Sequence, residues 1–411
     1  MNIVILNDYA YINGGAGQVA ISSAIALSQK GYDVFLFTAV APIEEGLKNI
    51  PNFHIVCLQQ YDILNDPNRA RAIVNGIWNG TAAVEFEKLL STLDKKDTVV
   101  HMHTCSKALS TSCIRVAMDK GFKILYHIHD YGVVCPNLGF YNYQKQTICK
   151  LKPMSLKCLL THCDSRSYSH KAWRYLRQIV QHYFGQVPNK INHFAAVSTF
   201  SYKVIQNFLP EESKIHFVKN PINVSKLLPI DVEENNYVIF IGRLTPEKNP
   251  LLLARVAQKM QLSVVFIGDG LCAKDIQEIY PEAILTGWLN FEQVQQYMKQ
   301  AKCLVLPSAC YETQGMVVAE AAARGIPTIV PDTCAAKDYI IDGYNGFVFK
   351  SNDEDDLADK LMRFNDTQTV KVMGKNAYEQ FWLEESDINN YVNCIKKIYQ
   401  EILSNDDSCD Y

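Results

Sequence analysis

Two glutamates, Glu312 and Glu320, stand eight residues apart in YETQGMVVAEAAARGIPTIV, a stretch otherwise small and apolar. Carboxylates accept hydrogen bonds from hydroxyl groups, so such a pair beside a cleft suits a sugar and a ribose better than a bare phosphate. Upstream, YVIFIGRLTPEKNP ends a buried-strand pattern at Gly242-Arg243 and places Lys248 five residues later. An arginine fork and a lysine point charge held at a strand end can together neutralise a diphosphate. His129 and Asp130 end the strand pattern KILYHIH, and His101 and His103 end the preceding one in VVHMHT. Open α/β sheets bind ligands along that carboxyl edge, which makes His129, and then His103, candidate site residues.

A glycine cluster, NGGAGQVA, follows the first strand pattern with glycines at 14, 15 and 17. Glycines there let backbone amides approach an anion at a helix amino terminus. The spacing is not GxGxxG, and the second strand runs out in VFLFTA with no acidic residue, which argues against a nicotinamide enzyme. Cys135, Cys149, Cys158 and Cys163 lie in one region but lack the close CxxC pairing usual for zinc, so they read as a loop of unpaired thiols or a zinc site. The segment from Tyr141 to Lys190 holds nine Lys/Arg and one acid, with Tyr168, Trp173 and Tyr175 interleaved. Within it, RSYSHKAWRYLRQIV has the pattern of a basic amphipathic helix able to rest on anionic lipid, or of a solvated surface.

The elements that must position these residues are short Val/Ile-rich runs alternating with helical patterns. In the first half the runs are Asn2–Leu6, Asp33–Phe37, Thr98–Met102, Lys123–Ile128 and Phe194–Val197. In the second they are Tyr237–Ile241, Leu262–Ile267, Lys302–Leu306 and Thr328–Val330. Continuous apolar strands with helices between them predict parallel sheets covered on both faces. The fold expected is α/β, with two Rossmann-like doubly wound domains in series. The boundaries expected are 1–222, 223–384 and a C-terminal helix within 385–411 that crosses back toward the first domain. In the opening stretch, KCLVLPS predicts a strand, Glu312 a loop position, and Gly315 onward a helix closed by Gly325 and Pro327. Glu320 then lies about two turns inside that helix, and the amides of Gln314, Gly315 and Met316 form its positive end.

The chain has 411 residues, 13 cysteines and a net charge of −3. That balance conceals an asymmetry: residues 1–230 carry a net +9 and the remainder a net −12. A basic first half fits anionic partners such as phosphates or an acidic membrane surface. One basic segment beside a strongly acidic half gives little support to nucleic-acid binding. No window is long and apolar enough to span a bilayer, and MNIVILNDYAYINGG lacks the basic start of a signal peptide. The expected location is the cytoplasm, with peripheral contact at the inner face of the plasma membrane and mostly reduced thiols.

The pieces GRLTPEKN, FIGDG, LTGWL, LPSACYETQGMVVAEAAARGIPTIV and IIDGYNGFVF follow, in order and spacing, a known pattern over roughly residues 236 to 350. On these the second half closely resembles the family 4 retaining glycosyltransferases of the GT-B fold. The first half is similar more loosely, through the glycine loop, HDYGVVCPN, AVSTFS and VKNPIN. The cysteine-bearing stretch is similar to one in bacterial members that build surface polysaccharides.

The resemblance implies a central cleft and transfer of a hexose from a nucleotide-diphospho-sugar donor to an acceptor hydroxyl with retention. The acceptor expected is a sugar or lipid-linked oligosaccharide in polysaccharide synthesis. It places Arg243 and Lys248 on the diphosphate, Glu312 and the Gln314–Met316 amides on the donor sugar and phosphate, and Glu320 on the ribose. His129 approaches the sugar from the first domain, and Gly15, Ala16 and Gly17 approach the phosphates. Gly242 ends the strand below, and the backbone near Thr286–Leu289, with Gly287 and Leu289, faces the base. Neither a cofactor nor a divalent metal is expected, because fixed cations do that work. Thr313-Gln314 departs from the usual residues before Gly315, and Asn249 replaces a common glycine after Lys248. Two other readings of the same architecture are a nucleotide-sugar epimerase or hydrolase and a non-enzymatic sugar-nucleotide-binding subunit.

Overall fold

The computed structural model describes residues 1–384 and 387–404; residues 385–386 and 405–411, part of the C-terminal stretch named above, lie outside the described residues. The strands of the first domain are β1 (Asn2–Tyr9), β2 (Asp33–Val40), β3 (Phe53–Gln60), β4 (Thr98–Met102), β5 (Lys123–Ile128), a two-stranded hairpin of β6 (Tyr141–Asn142) and β7 (Thr147–Ile148), then β8 (His193–Ala196) and β9 (Lys214–Phe217). Those of the second are β10 (Tyr237–Ile241), β11 (Val264–Ile267), β12 (Ile284–Leu285), β13 (Ala301–Val305), β14 (Thr328–Pro331) and β15 (Gly346–Phe349).

The two large sheets are parallel throughout, in the orders β3-β2-β1-β4-β5-β8-β9 and β12-β11-β10-β13-β14-β15. Each is doubly wound, and strand order reverses between β1 and β4 in the first sheet and between β10 and β13 in the second. Those reversals open crevices at the carboxyl ends of the strands. Central strands such as β1 and β10 are fully buried in their middles because helices cover both faces. β3, β9, β12 and β15 add to the strands expected from sequence. They are the edge strands of the two sheets; β3 is half-exposed, β9 alternates with polar residues, β12 has two residues, and β15, though the apolar GFVF, is only four residues long.

The helix Ile388–Ser404 packs on the first domain. Tyr391, Val392, Ile395, Ile398, Tyr399 and Ile402 are buried against Ile3, Ile5, Val19 and Leu27. Their spacing of three and four residues makes one apolar stripe. That stripe completes the covering of the first sheet with a segment that follows the second domain in the chain.

Candidate active site

Both crevices open onto the same space. A side chain added at Gly15, at the start of the helix Gly15–Gln29, would meet Met316 Sδ at 3.4 Å, so the glycine loop of the first domain faces the helix that carries Glu320. Gly14 takes φ 83°, a value that favours glycine and allows the loop to turn into the helix. Gly15 is exposed, Ala16 half-buried and Gly17 buried near Tyr11.

In the second domain, glycine backbones set the strand ends. A Cβ on Gly268 would lie 2.0 Å from the carbonyl oxygen of Gly242, and Gly268 N donates to Gly287 O at 2.9 Å. The ends of β10, β11 and β12 therefore touch backbone to backbone. Leu289, two residues past Gly287, packs on the second core.

From the β10 end, Lys248 reaches Glu312 as an ion pair, and Ser308 Oγ donates to Glu312 Oε1 at 2.7 Å. Burial pushes the Glu312 carboxyl up, but Lys248, Ser308 and the nearby Arg243 outweigh it and hold it below its ordinary range. Burial likewise works against the Lys248 ammonium, and the Glu312 charge overcomes it, so Lys248 titrates above its usual value. Arg243 rests on Glu247 at 3.3 Å with its side chain 72% exposed, leaving most of its donors open to the crevice. Glu320 is half-buried, and burial alone raises its pKa to about 7. Arg243, Lys248 and Glu312 thus converge at the switch point of the second sheet, while Glu320 lies on the adjoining helix Met316–Ala322 behind Gly315, which caps it at φ 79°.

His129 is tied on both sides. Its Nε2 is bonded to His103 Nδ1 at 2.9 Å, and its carbonyl oxygen accepts from Thr313 Oγ1 at 3.0 Å. The ring belongs to a cluster of histidines, and the backbone is tied to the Glu312 loop.

The side chains of the departure Thr313-Gln314 are engaged with protein partners. Besides the bond to His129, Thr313 O accepts from Ser198 Oγ at 2.6 Å. Gln314 is buried, with Oε1 accepting from Asn220 N at 2.9 Å and Nε2 donating to Tyr339 Oη at 2.7 Å and Asn220 O at 3.3 Å. The segment latches the second domain to the first and to the linker between them. Ser198 and Asn220 were not legible as site-forming residues, since nothing local marks a serine or asparagine as a partner for a residue 90 or more positions away; Ser308, four residues from Glu312, was within reach of the sequence and was missed.

The helix Tyr168–Tyr183 corrects the picture of an outward basic stripe. Lys171 is buried with its Nζ 3.4 Å from Cys158 Sγ, Arg174 pairs with buried Asp164 at 2.8 Å, and Arg177 donates to Ser106 O at 3.1 Å. These cations satisfy interior partners, and Leu176 and Tyr183, seven apart, are exposed instead. Cys135, Cys149, Cys158 and Cys163 are free thiols in this region, and the Lys171 ammonium bonds both Cys158 and Cys163. Among the described residues no helix is long and apolar enough to cross a membrane.

Residues 229–380 match the family model described as glycosyl transferases group 1, and that stretch is a domain of this family. The chain is 25% identical over 227 residues to the UDP-Gal:alpha-D-GlcNAc-diphosphoundecaprenol alpha-1,3-galactosyltransferase of Escherichia coli, covering 49% of this chain and 58% of that protein. It is 37% identical over 109 residues to a GDP-mannose-dependent alpha-mannosyltransferase of Corynebacterium glutamicum, covering 26% of each. The chain spans less than two thirds of the length of these relatives. Among solved structures, sucrose-phosphate synthase of Thermosynechococcus elongatus superposes with a TM-score of 0.74 at 15% identity, covering 98% of this chain and 99% of that one. The Anabaena protein HepE, solved in complex with UDP, superposes with a TM-score of 0.67 at 15% identity, covering 98% of this chain and all of that one. The fold is GT-B.

Proposed function

We propose that this chain, whose residues 229–380 form a group 1 glycosyl transferase domain, moves a sugar from a nucleotide-diphospho donor to an acceptor hydroxyl with retention of configuration. The observation that carries the reading is the convergence of Arg243, Lys248 and Glu312 at the switch point of the second sheet, with Glu320 on the adjoining helix and the first domain's glycine loop opposite. Arg243 and Lys248 neutralise the diphosphate as the glycosidic bond breaks, which is charge stabilisation at the place where charge develops. Glu312 accepts from a sugar hydroxyl, and its pairing with Lys248 keeps it ionised for that role. Glu320 accepts from the ribose. The acceptor attacks from the face the nucleotide leaves, its proton passing to the departing phosphate oxygen, so no side chain serves as a separate general base.

The acceptor proposed is a lipid-linked oligosaccharide in the assembly of a surface polysaccharide. Its support is the Escherichia coli relative, whose name states a diphosphoundecaprenol acceptor, and the exposed Leu156 and Leu160, which neighbour the exposed Lys152 and Lys157 in the chain. Apolar side chains flanked by lysines suit a peripheral contact with an anionic membrane.

A thermal-shift screen with UDP, GDP and ADP and their sugars, followed by transfer assays, tests the reading. One nucleotide family should stabilise the protein. Arg243→Ala and Lys248→Ala should each lower transfer about 100-fold or more while the fold survives. Near-normal transfer in either variant sinks the diphosphate assignment, and rapid consumption of the donor without any acceptor points to a hydrolase or epimerase.

A further inference from the structure

His101 and His103 leave β4 on one face, and His127 and His129 leave β5 on one face, because side chains two apart in a strand point the same way. The strands are parallel neighbours with His101 opposite Leu125 and Met102 opposite Tyr126, so the four rings gather in a single patch. Ring centroids lie 4.1 Å apart for His101–His103, 5.3 Å for His101–His127 and 5.0 Å for His103–His127. Tyr399 of the C-terminal helix bonds His101 Nδ1 at 2.6 Å, His101 Nε2 lies 3.1 Å from His127 Nδ1, and His103 Nδ1 lies 2.9 Å from His129 Nε2.

These bonds leave a deficit. His103 Nε2 and His127 Nε2 are buried and have no partner. Reassigning tautomers does not repair it, because each hydrogen-bonded run ends on one of these two atoms, whichever way its protons are placed. A buried imidazole nitrogen without a partner is costly, and His103 Nε2, beside the bonded pair His101–His127, is open to a ligand that the protein itself does not supply.

We propose that His101, His103 and His127 form a site for one divalent transition ion of the zinc class, on the first domain behind His129. One ring nitrogen from each of the three lies within 4.8 Å of the other two. Zinc–nitrogen bonds of about 2.0–2.1 Å set tetrahedral ligand nitrogens about 3.4 Å apart. His101 Nε2 and His127 Nδ1, 3.1 Å apart, would exchange the bond between them for the ion, and the unpartnered His103 Nε2 would be the third ligand, so His103 has the adjustment to make. Three imidazoles select zinc, cobalt, nickel or copper over magnesium or calcium. A cavity of about 40 Å³ borders His103 and His127, though not His101, and has room for a water beside them. The bound ion would cross-link β4 to β5 and fix His103, and through it the ring of His129. This inference does not rest on the transferase reading, since the site lies in the first domain and no diphosphate contact is assigned to it.

The test uses the full chain, stripped with a chelator and titrated with Co²⁺ and then Zn²⁺. The expected result is one equivalent bound, visible absorption of a tetrahedral cobalt ion without a strong thiolate-to-cobalt band, and at least tenfold weaker affinity in His127→Gln and in His101→Gln. Absence of stoichiometric binding, unchanged affinity in both variants, or a thiolate band that assigns the ion to cysteines would overturn it. The cobalt spectrum of the unmodified chain decides the matter even where a variant fails to fold.

Discussion

Glu320 shows how a carboxylate in a helix that otherwise packs into a core becomes a measurable handle. Burial lifts its folded pKa to about 7 from an ordinary 4.5. The folded state therefore holds a proton that the unfolded chain releases, and stability attributable to this group falls as pH rises from about 4.5 through about 7. Glu320→Gln should melt at a higher temperature than the parent at pH 8, with the difference closing toward pH 4. At pH 8, where Glu320 is ionised, the same variant should bind the stabilising nucleoside diphosphate about tenfold or more weakly, because the charged acceptor for the ribose is gone. A melting temperature that is lower at pH 8, or unchanged nucleotide affinity, would contradict this assignment. Glu312 is the opposite case: its pKa is held down by Lys248, so its charge persists across the working range. Eight residues separate the two carboxylates in sequence, and their different neighbours give them different proton states.

The strand ends and their connecting loops carry the second scale of the argument. Gly268 cannot accept a side chain, since a Cβ would collide with the backbone of Gly242 that leads directly into Arg243. Gly268→Ala should push β11 away from β10, weaken nucleotide binding by at least tenfold and lower the melting temperature; a titration together with a melting curve reads both. If affinity stays at the parent value, the close approach is not what places Arg243. The motifs GRLTPEKN and FIGDG were visible as motifs, but their glycines gain a physical reason only when the adjacent strands are in register. The histidines follow the same pattern. His127 and His129 alternate at period two within a strand, so their sharing of a face was legible. That β4 lies beside β5, and that Tyr399 reaches His101 from 298 residues away, was not.

At the scale of the molecule, the two domains are joined by the Thr313-Gln314 segment and by the C-terminal helix. Hydrogen bonds donated by Ser198 Oγ, Thr313 Oγ1 and Asn220 N tie the loop of Glu312, through Thr313 and Gln314, to the first domain and to Asn220, each contributing about 0.5–1.5 kcal/mol. Gln314→Ala combined with Ser198→Ala should loosen the nucleotide-free molecule, seen as a larger radius of gyration in solution scattering, and should reduce turnover more than donor affinity. An unchanged radius would show that the latch does not hold the cleft. Ile395→Ala, in the stripe by which the last helix covers the first sheet, should cost about 2–5 kcal/mol, checked by denaturant unfolding of the first domain. Sequence by itself determined the two parallel-sheet domains and most central strands, because buried parallel strands and their covering helices write unbroken apolar runs and a helical period into the chain. It also marked Arg243, Lys248, Glu312 and Glu320, whose charges stand out against small and apolar surroundings. Only the tertiary structure decided that Gln314 binds the linker, that Lys171, Arg174 and Arg177 turn inward, and that four histidines and a distant tyrosine share one patch. Those outcomes depend on partners brought near by folding, and a residue's type does not encode which distant group will reach it.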